Sequence, residues 1–252
     1  LALSLIERVL LRNIDEPGAK ERLARWRSEL GLVVPTRQAQ AGATVVTRDT
    51  DAPFELIREL ARGGAGVVYE AIDRELDRHV ALKIYHDGAA DREQLAHEAR
   101  VATLLGGRNV TRVFDVDLEH GWLALEWASQ RSLRDAITKK NVALLAPIER
   151  WALPLAETLA RIHREGWVHY DIKPANVLFM EDGRVVLTDF GIAKTIGSPG
   201  GPGSLGYVSP ERMKGAPATT KDDVFGFGRI VEDVVDALEA AGSPDGVEKW
   251  KA

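Results

Sequence analysis

The sequence predicts a two-lobed α+β fold, a strand-rich part followed by a mainly helical part with a cleft between them. Three observations lead there. From residue 54 to 128 the apolar residues come in strand-length runs, "FELIRELA", "GVVYEAID", "HVALKIYH", "VTRVFDVDL" and "GWLALEWA", set apart by glycine and charged turns. After Ser132 the spacing lengthens to that of helices, and "PIERWALPLAETLARIHREG" (147–166) is expected to be the longest. The 252 residues, 45% hydrophobic and 28% charged, suit a globular chain able to bury a sizeable core. Strands first and helices second imply segregated layers, with a ligand cleft where they meet.

The elements follow in order. Residues 1–14 read as an amphipathic helix, with Ser4, Arg8 and Arg12 on one stripe and Leu1, Leu5, Ile6, Val9 and Leu10 on the rest. "DEPGAKERLARWRSELG" reads as a second helix, capped by Asp15 or Glu16, opened by Pro17 and closed by Gly31. Residues 33–52 form a linker with one strand-like stretch, "ATVVTR". The division expected is therefore 1–52 as a helical extension and linker, 53–127 as the strand-rich lobe and 128–252 as the helical lobe. The two opening helices are expected to pack on the main domain rather than to regulate it. Within the main part, "DREQLAHEARVATLL" is a helix between strands, "NVLF" and "VVLTDF" are short strands, and "GSPGGPGS" (197–204) is a loop.

Composition excludes some chemistry. With no cysteine there is no disulfide, no thiolate nucleophile and no cysteine zinc site. A net charge of -5 gives no reason to expect nucleic acid or an anionic membrane as partner. No stretch reaches the roughly 20 apolar residues of a membrane helix. "LALSLIERVLL" is broken by Glu7 and Arg8 and follows no basic region, so it is not read as a signal peptide. These features fit a cytoplasmic chain, and a first residue other than Met fits a piece of a longer one. The six histidines suggest no metal site, and Glu157 is expected on a solvated helix face.

Polar residues in apolar runs carry the chemistry. Gly63, Gly64 and Gly66 lie between two strands, where backbone N–H groups can approach phosphates, although such a turn alone is usually only a hairpin. Lys83 interrupts the apolar strand "VALKIY", so its charge needs an edge or a partner. Glu98 on the next helix is the expected carboxylate, with Glu93 as the fallback. In "VHYDIKPANVLF" (168–179), Asp171 and Asn176 flank a turn containing Pro174. A carboxylate there can accept a hydroxyl proton, an amide oxygen can ligate Mg²⁺, and Lys173 can neutralise phosphoryl charge. Asp189 ends the strand of "LTDFGIAK" and adds a second hard oxygen donor.

In this order the segments resemble the eukaryotic-type protein kinases, in their bacterial serine/threonine branch. "ARGGAGVV" stands for the glycine-rich loop, "VALK" for the third-strand lysine, "HYDIKPAN" for the catalytic loop, "DFG" for the magnesium motif and "SPE" (209–211) for the end of the activation segment. The resemblance runs from Phe54 to the chain end. It implies an ATP- and Mg²⁺-dependent enzyme, with Mn²⁺ as an alternative metal, that phosphorylates protein hydroxyls. Asp171, Lys173 and Lys83 would be catalytic. Ala61, Gly63, Gly64 and Gly66 would cover the phosphates that Lys83, held in turn by Glu98, would bind. Val68, Ala81 and Leu178 would sandwich the adenine, Glu126 and Ala128 would offer hinge backbone groups behind Leu125, and Asn176 and Asp189 would take the metal. Asp223, at the start of "DVFGFG" (223–228), would anchor the catalytic loop, and His169 would be a core residue of that loop, packing near Phe190.

Three departures stand out. Ala61 replaces the first glycine of the loop. Tyr170 replaces the arginine before the catalytic Asp, so phosphates on Thr195, Ser198 or Ser204 are expected to activate little. After "RIVEDVVDALEAAGSPDGVEKWKA" the family would have further helices, so the helical lobe is expected to be short and Glu211 to lack its arginine. The competing readings are a pseudokinase, serving as a nucleotide-binding or scaffolding module, and a small-molecule phosphotransferase, which ranks last because such proteins lack the "DFG…SPE" segment.

Overall fold

Period-two alternation builds the sheet. β1 (Phe54–Arg62), β2 (Gly66–Asp73) and β3 (Arg78–Tyr85) form an antiparallel meander. The chain then forms α1 (Ala89–Leu104), β4 (Val113–Asp117) and β5 (Trp122–Glu126). The sheet order is β1-β2-β3-β5-β4. In β3, Val80, Leu82 and Ile84 join Phe54, Ala71 and Ala124 on one face, while Ala81 and Tyr85 join Leu95, Ala99, Leu123 and Leu125 on the other. Lys83 shares the second face, which is the one α1 covers. The computed structural model describes residues 53–86, 89–243 and 250, all within the unit Pro53–Ala252. The helices expected at 1–14 and 15–31, and the strand expected within 33–52, lie outside the described residues.

The helical half consists of α2 (Leu133–Thr138), α3 (Val142–Leu145), α4 (Glu149–Arg164), α5 (Pro210–Met213) and α6 (Thr220–Ala240), with short strands β6 (Trp167–Val168), β7 (Val177–Phe179), β8 (Val185–Leu187) and β9 (Lys194–Thr195) between α4 and α5. Its core packs Trp151, Leu155 and Ile162 of α4 against Ile230, Val234 and Leu238 of α6. Ser132 and Asp135 form a capping box on α2, and Thr219 and Asp222 form one on α6.

Several expected boundaries move. The longest described helix is α6, with 21 residues against 16 in α4, because the apolar series Ile230, Val231, Val234, Val235 and Leu238 carries the helix past "DVFGFG". The strand expected from residue 110 begins at Val113. Val110 instead bridges to Leu187, and the Thr111 N–H donates to the Leu187 carbonyl at 3.0 Å. Asn176 belongs to a single 3-10 turn, Pro174–Asn176, rather than to the strand after it.

Tyr207 pins the segment before α5 to α6: its hydroxyl donates to Asp233 Oδ2 at 2.5 Å. Burial first, and then the bond to Asp233 and its charge, hold the phenol well above its usual pKa. A raised value means that the stability it contributes is complete below the usual tyrosine value of about 10 and is lost as pH climbs through the folded one. Tyr207→Phe is expected to cost about 1 kcal/mol at pH 7, and the difference should shrink above about pH 10. Urea unfolding from pH 7 upward checks this; a difference that grows with pH would reverse the sign.

Candidate active site

The sheet side of the site is built around Lys83. Its Nζ donates to Glu98 Oε2 at 2.6 Å and to Asp189 Oδ1 at 3.0 Å. Glu93, the fallback, is exposed. The Tyr85 hydroxyl donates to the same Glu98 oxygen. Cross-strand pairs share a face, so the pairing of Val68 with Lys83 and of Ala81 with Leu125 puts all four residues on the side that α1 covers. Burial works against the Lys83 ammonium, but the charges of Glu98 and Asp189 reverse this and push its pKa far above the ordinary lysine value. Burial likewise holds the Glu98 carboxyl above its usual range, despite Lys83.

The glycine turn divides by what each position tolerates. A Cβ on Gly66 would run into the Ile84 carbonyl of the neighbouring strand, so the fold itself demands glycine there. At Gly63 and Gly64 a Cβ would meet nothing within 4 Å. Neither position has a positive φ, so those two glycines answer no packing need. The Gly63 N–H donates to the Gly66 carbonyl, while among the described residues the Gly64 and Ala65 N–H groups donate to nothing. Open space over free amides suits an anion. Ala61 lies on β1 opposite Val68.

The helical side is built around Asp171. Its Oδ2 accepts from Lys173 Nζ at 2.7 Å and Asn176 Nδ2 at 3.2 Å, and its Oδ1 accepts from Ser204 Oγ at 2.8 Å. Lys173 Nζ also donates to Ser204 Oγ, at 2.9 Å. Asn176 Nδ2 further bonds the Asp171 carbonyl, at 2.9 Å. Among the described residues Asn176 Oδ1 is left without a partner. The Thr188 N–H donates to the Asn176 carbonyl at 3.0 Å, which ties the turn to the chain just before Asp189. Asp189 has φ 67, and its side chain stays 36% exposed. Burial raises its carboxyl, but Lys83, with Lys173 and His169, outweighs this and holds it below the usual carboxylate range. Among the described residues its Oδ2 has no hydrogen-bond partner. Two hard oxygens, Asn176 Oδ1 and Asp189 Oδ2, are thus available for a divalent cation.

The chain just before Asp171 hangs from α6. Asp223 accepts from the His169 N–H at 2.9 Å and the Tyr170 N–H at 2.8 Å, and contacts His163 Nε2 at 2.8 Å. His169 packs edge-on against Phe190, as the resemblance implies. Tyr170 has φ 69, a left-handed conformation costing roughly 1–3 kcal/mol in a non-glycine residue, and the Asp223 bonds offset that strain. Asp223→Asn leaves one buried amide short of an acceptor and is expected to destabilise the fold by about 2 kcal/mol. Denaturant midpoints measure this; no change would mean that the two amides find other acceptors.

Glu126 ends β5 and Ala128 follows it, where the chain passes from the sheet to the helical half. Glu126 spends its N–H on the Arg112 carbonyl, at 2.9 Å, and its carboxylate on Arg184 Nη2, at 2.6 Å. Its backbone N–H is therefore not available to a ligand. Ala128 packs with Leu178, Met180 and Val186, and among the described residues its N–H donates to nothing. Thr195 Oγ1 and Ser198 Oγ lie 2.9 Å apart. Among the described residues Glu211 forms no ion pair, and it is exposed. Sequence reasoning missed Tyr85, Arg184 and Arg212. Tyr85 lies two residues after Lys83 on one strand, so alternation alone could have found it. The two arginines act across 58 and 42 residues of chain, and no local pattern signals them.

Lys83 thus bridges two carboxylates, Asp171, Lys173 and Asn176 form one hydrogen-bonded cluster, and among the described residues the Gly64 and Ala65 amides are unpaired. Residues 54–240 match the family described as protein kinase domain, and the chain belongs to that family. A probable serine/threonine-protein kinase of Clostridium acetobutylicum is 32% identical over 193 residues, which are 72% of this chain and 29% of that protein. PknL, a serine/threonine-protein kinase of Mycobacterium tuberculosis, is 30% identical over 197 residues, 73% of this chain and 49% of the relative. PrkC, a serine/threonine-protein kinase of Bacillus subtilis, is 32% identical over 196 residues, 72% and 30%. The chain therefore spans half or less of the length of these relatives.

Proposed function

We propose that this chain is the catalytic domain of a serine/threonine protein kinase, transferring the γ-phosphoryl group of ATP to protein hydroxyls. The observation that carries this reading is the meeting of Lys83–Glu98–Asp189 with Asp171–Lys173–Asn176. Lys83, fixed between two carboxylates, would neutralise the nucleotide phosphates beneath the free amides of Gly64 and Ala65. The Ala128 N–H would donate to the base, which Val68, Ala81 and Leu178 would enclose. A divalent cation, Mg²⁺ or Mn²⁺, held by Asn176 and Asp189, would supply charge neutralisation on the phosphates.

Asp171 would accept the hydroxyl proton as the acceptor oxygen bonds to phosphorus and the bond from phosphorus to the leaving oxygen of ADP breaks. Its carboxylate already accepts one serine hydroxyl, from Ser204. Lys173 would balance the charge that develops on the moving group. With every named position filled, nothing favours a pseudokinase. Because Tyr170 cannot form an ion pair, phosphates on Thr195 and Ser198 would add little activity. We place the lobe boundary at 127/128, treat 1–52 as an appended segment, and assign the domain to the ATP-rich cytoplasm. Among the described residues no helix is long and apolar enough to cross a membrane.

Incubation with γ-labelled ATP, Mg²⁺ and a basic serine/threonine peptide tests the reading, with Asp171→Asn alongside. Label in the peptide from the unmutated protein alone is expected. Nucleotide binding without transfer in either would instead indicate a binding module.

A further inference from the structure

We infer that Arg212 is a positioning residue for phosphoryl transfer: it clamps the activation segment onto the residue preceding Asp171, so that this segment is set without a phosphate. The kinetic half of this inference rests on the kinase reading; the structural half does not.

Arg212 lies on α5, immediately after the "SPE" motif, and is 6% exposed. Its Nε donates to the Gly201 carbonyl at 3.0 Å, its Nη2 to the Pro202 carbonyl and its Nη1 to the Tyr170 carbonyl at 2.5 Å. The guanidinium carbon also lies over the Tyr170 ring, 3.3 Å from its centroid. A Cβ on Gly203 would collide with Arg212 Nη2, so the close approach of this segment to the guanidinium depends on glycine. Among the described residues Arg212 forms no ion pair, and the Tyr170 hydroxyl is buried without a hydrogen-bond partner. The ring is there as a platform rather than as a polar group. Stacking and forked donation to carbonyls are the properties that separate arginine from lysine.

The consequence for Asp171 is geometric. Tyr170 holds a left-handed backbone, with its N–H fixed by Asp223 and its carbonyl fixed by Arg212. That peptide sets the direction in which Asp171 leaves the chain. At its other end the guanidinium holds Gly201 and Pro202, a few residues before Ser204, whose hydroxyl meets the Asp171 carboxylate. One side chain therefore fixes both partners of that contact.

The test compares Arg212→Met, Arg212→Lys and Tyr170→Leu, with Met213→Ala, an exposed neighbour, as the control. Hydrogen exchange of amides 200–208 reports the clamp without any need for activity, and steady-state kinetics report its effect on transfer. Arg212→Met is expected to speed exchange roughly tenfold or more and to lower kcat roughly tenfold, with the KM for ATP unchanged. Arg212→Lys should recover part of both, and Tyr170→Leu should loosen the same amides. If Arg212→Met does not fold, Arg212→Lys and Tyr170→Leu decide. Unchanged exchange in whichever of these variants fold overturns the inference. Faster exchange with unchanged kcat leaves a purely structural brace and overturns the positioning role. An inactive unmutated protein defeats the kinase reading, and the exchange arm still decides the clamp.

Discussion

Changing Asp171 to asparagine is expected to reduce transfer to an acceptor peptide by roughly three orders of magnitude, with the KM for ATP nearly unchanged. The amide keeps the shape of the carboxylate but cannot take a proton. It also turns at least one of its donors toward Lys173 or Ser204, both of which already donate to the native carboxylate. The nucleotide side is spared, since no hydrogen bond links Asp171 to Lys83 or Glu98 among the described residues. Steady-state rates at saturating ATP measure the effect. A loss of less than about tenfold would leave Asp171 as an orienting group rather than the proton acceptor.

Lys83→Met should be nearly as damaging and should act on two quantities at once. Transfer is expected to fall by roughly a hundredfold or more, because the preorganised positive charge that the proposed mechanism sets at the phosphates would be lost. The fold should also lose about 3 kcal/mol at pH 7, the scale of breaking one side of a buried ion pair. Glu98 would remain buried with only the Tyr85 hydroxyl, while Asp189 would lose the strongest influence holding its carboxyl down. The sign with pH follows from the raised value of Lys83. Its contribution is complete below the ordinary lysine value of about 10.4 and fades above it, so the native advantage should be flat from neutrality to about pH 10. Thermal unfolding of both proteins over that range measures it. A native advantage that fades below pH 9 would mean that Lys83 is not held charged by its partners.

Much of this site is legible in the chain because local order carries it. Lys83 alternates with Val80 and Leu82, Asp171 and Asn176 sit five residues apart around a proline turn, and Asp189 follows an apolar strand. Each needs only its neighbours to be recognised. Glu98 is legible one step further, from the inward face of its helix. What stays hidden is set by tertiary distance. Nothing around Arg184 announces Glu126, and nothing around Arg212 announces Tyr170. Strand ends were hidden for the same reason: Val110 and Asn176 leave their strands for partners near Leu187, and no periodicity encodes that. α6 outgrows α4 because the apolar series Ile230, Val231, Val234, Val235 and Leu238 continues behind the aromatic and glycine-rich "DVFGFG".

The single oxygen of Glu98 that serves both Lys83 and Tyr85 sets terms for inhibitor design. A compound reaching behind Lys83 must push α1 aside, which breaks an ion pair and a hydroxyl hydrogen bond together. At about 1–3 kcal/mol for each, the displaced conformer is a minor species, and the affinity of such a compound falls by the fraction of molecules that adopt it. On the proposed site, a compound confined to Val68, Ala81 and Leu178, and bonded to the Ala128 N–H, would meet no such penalty. Screening against this protein should therefore favour compact ligands that leave α1 in place.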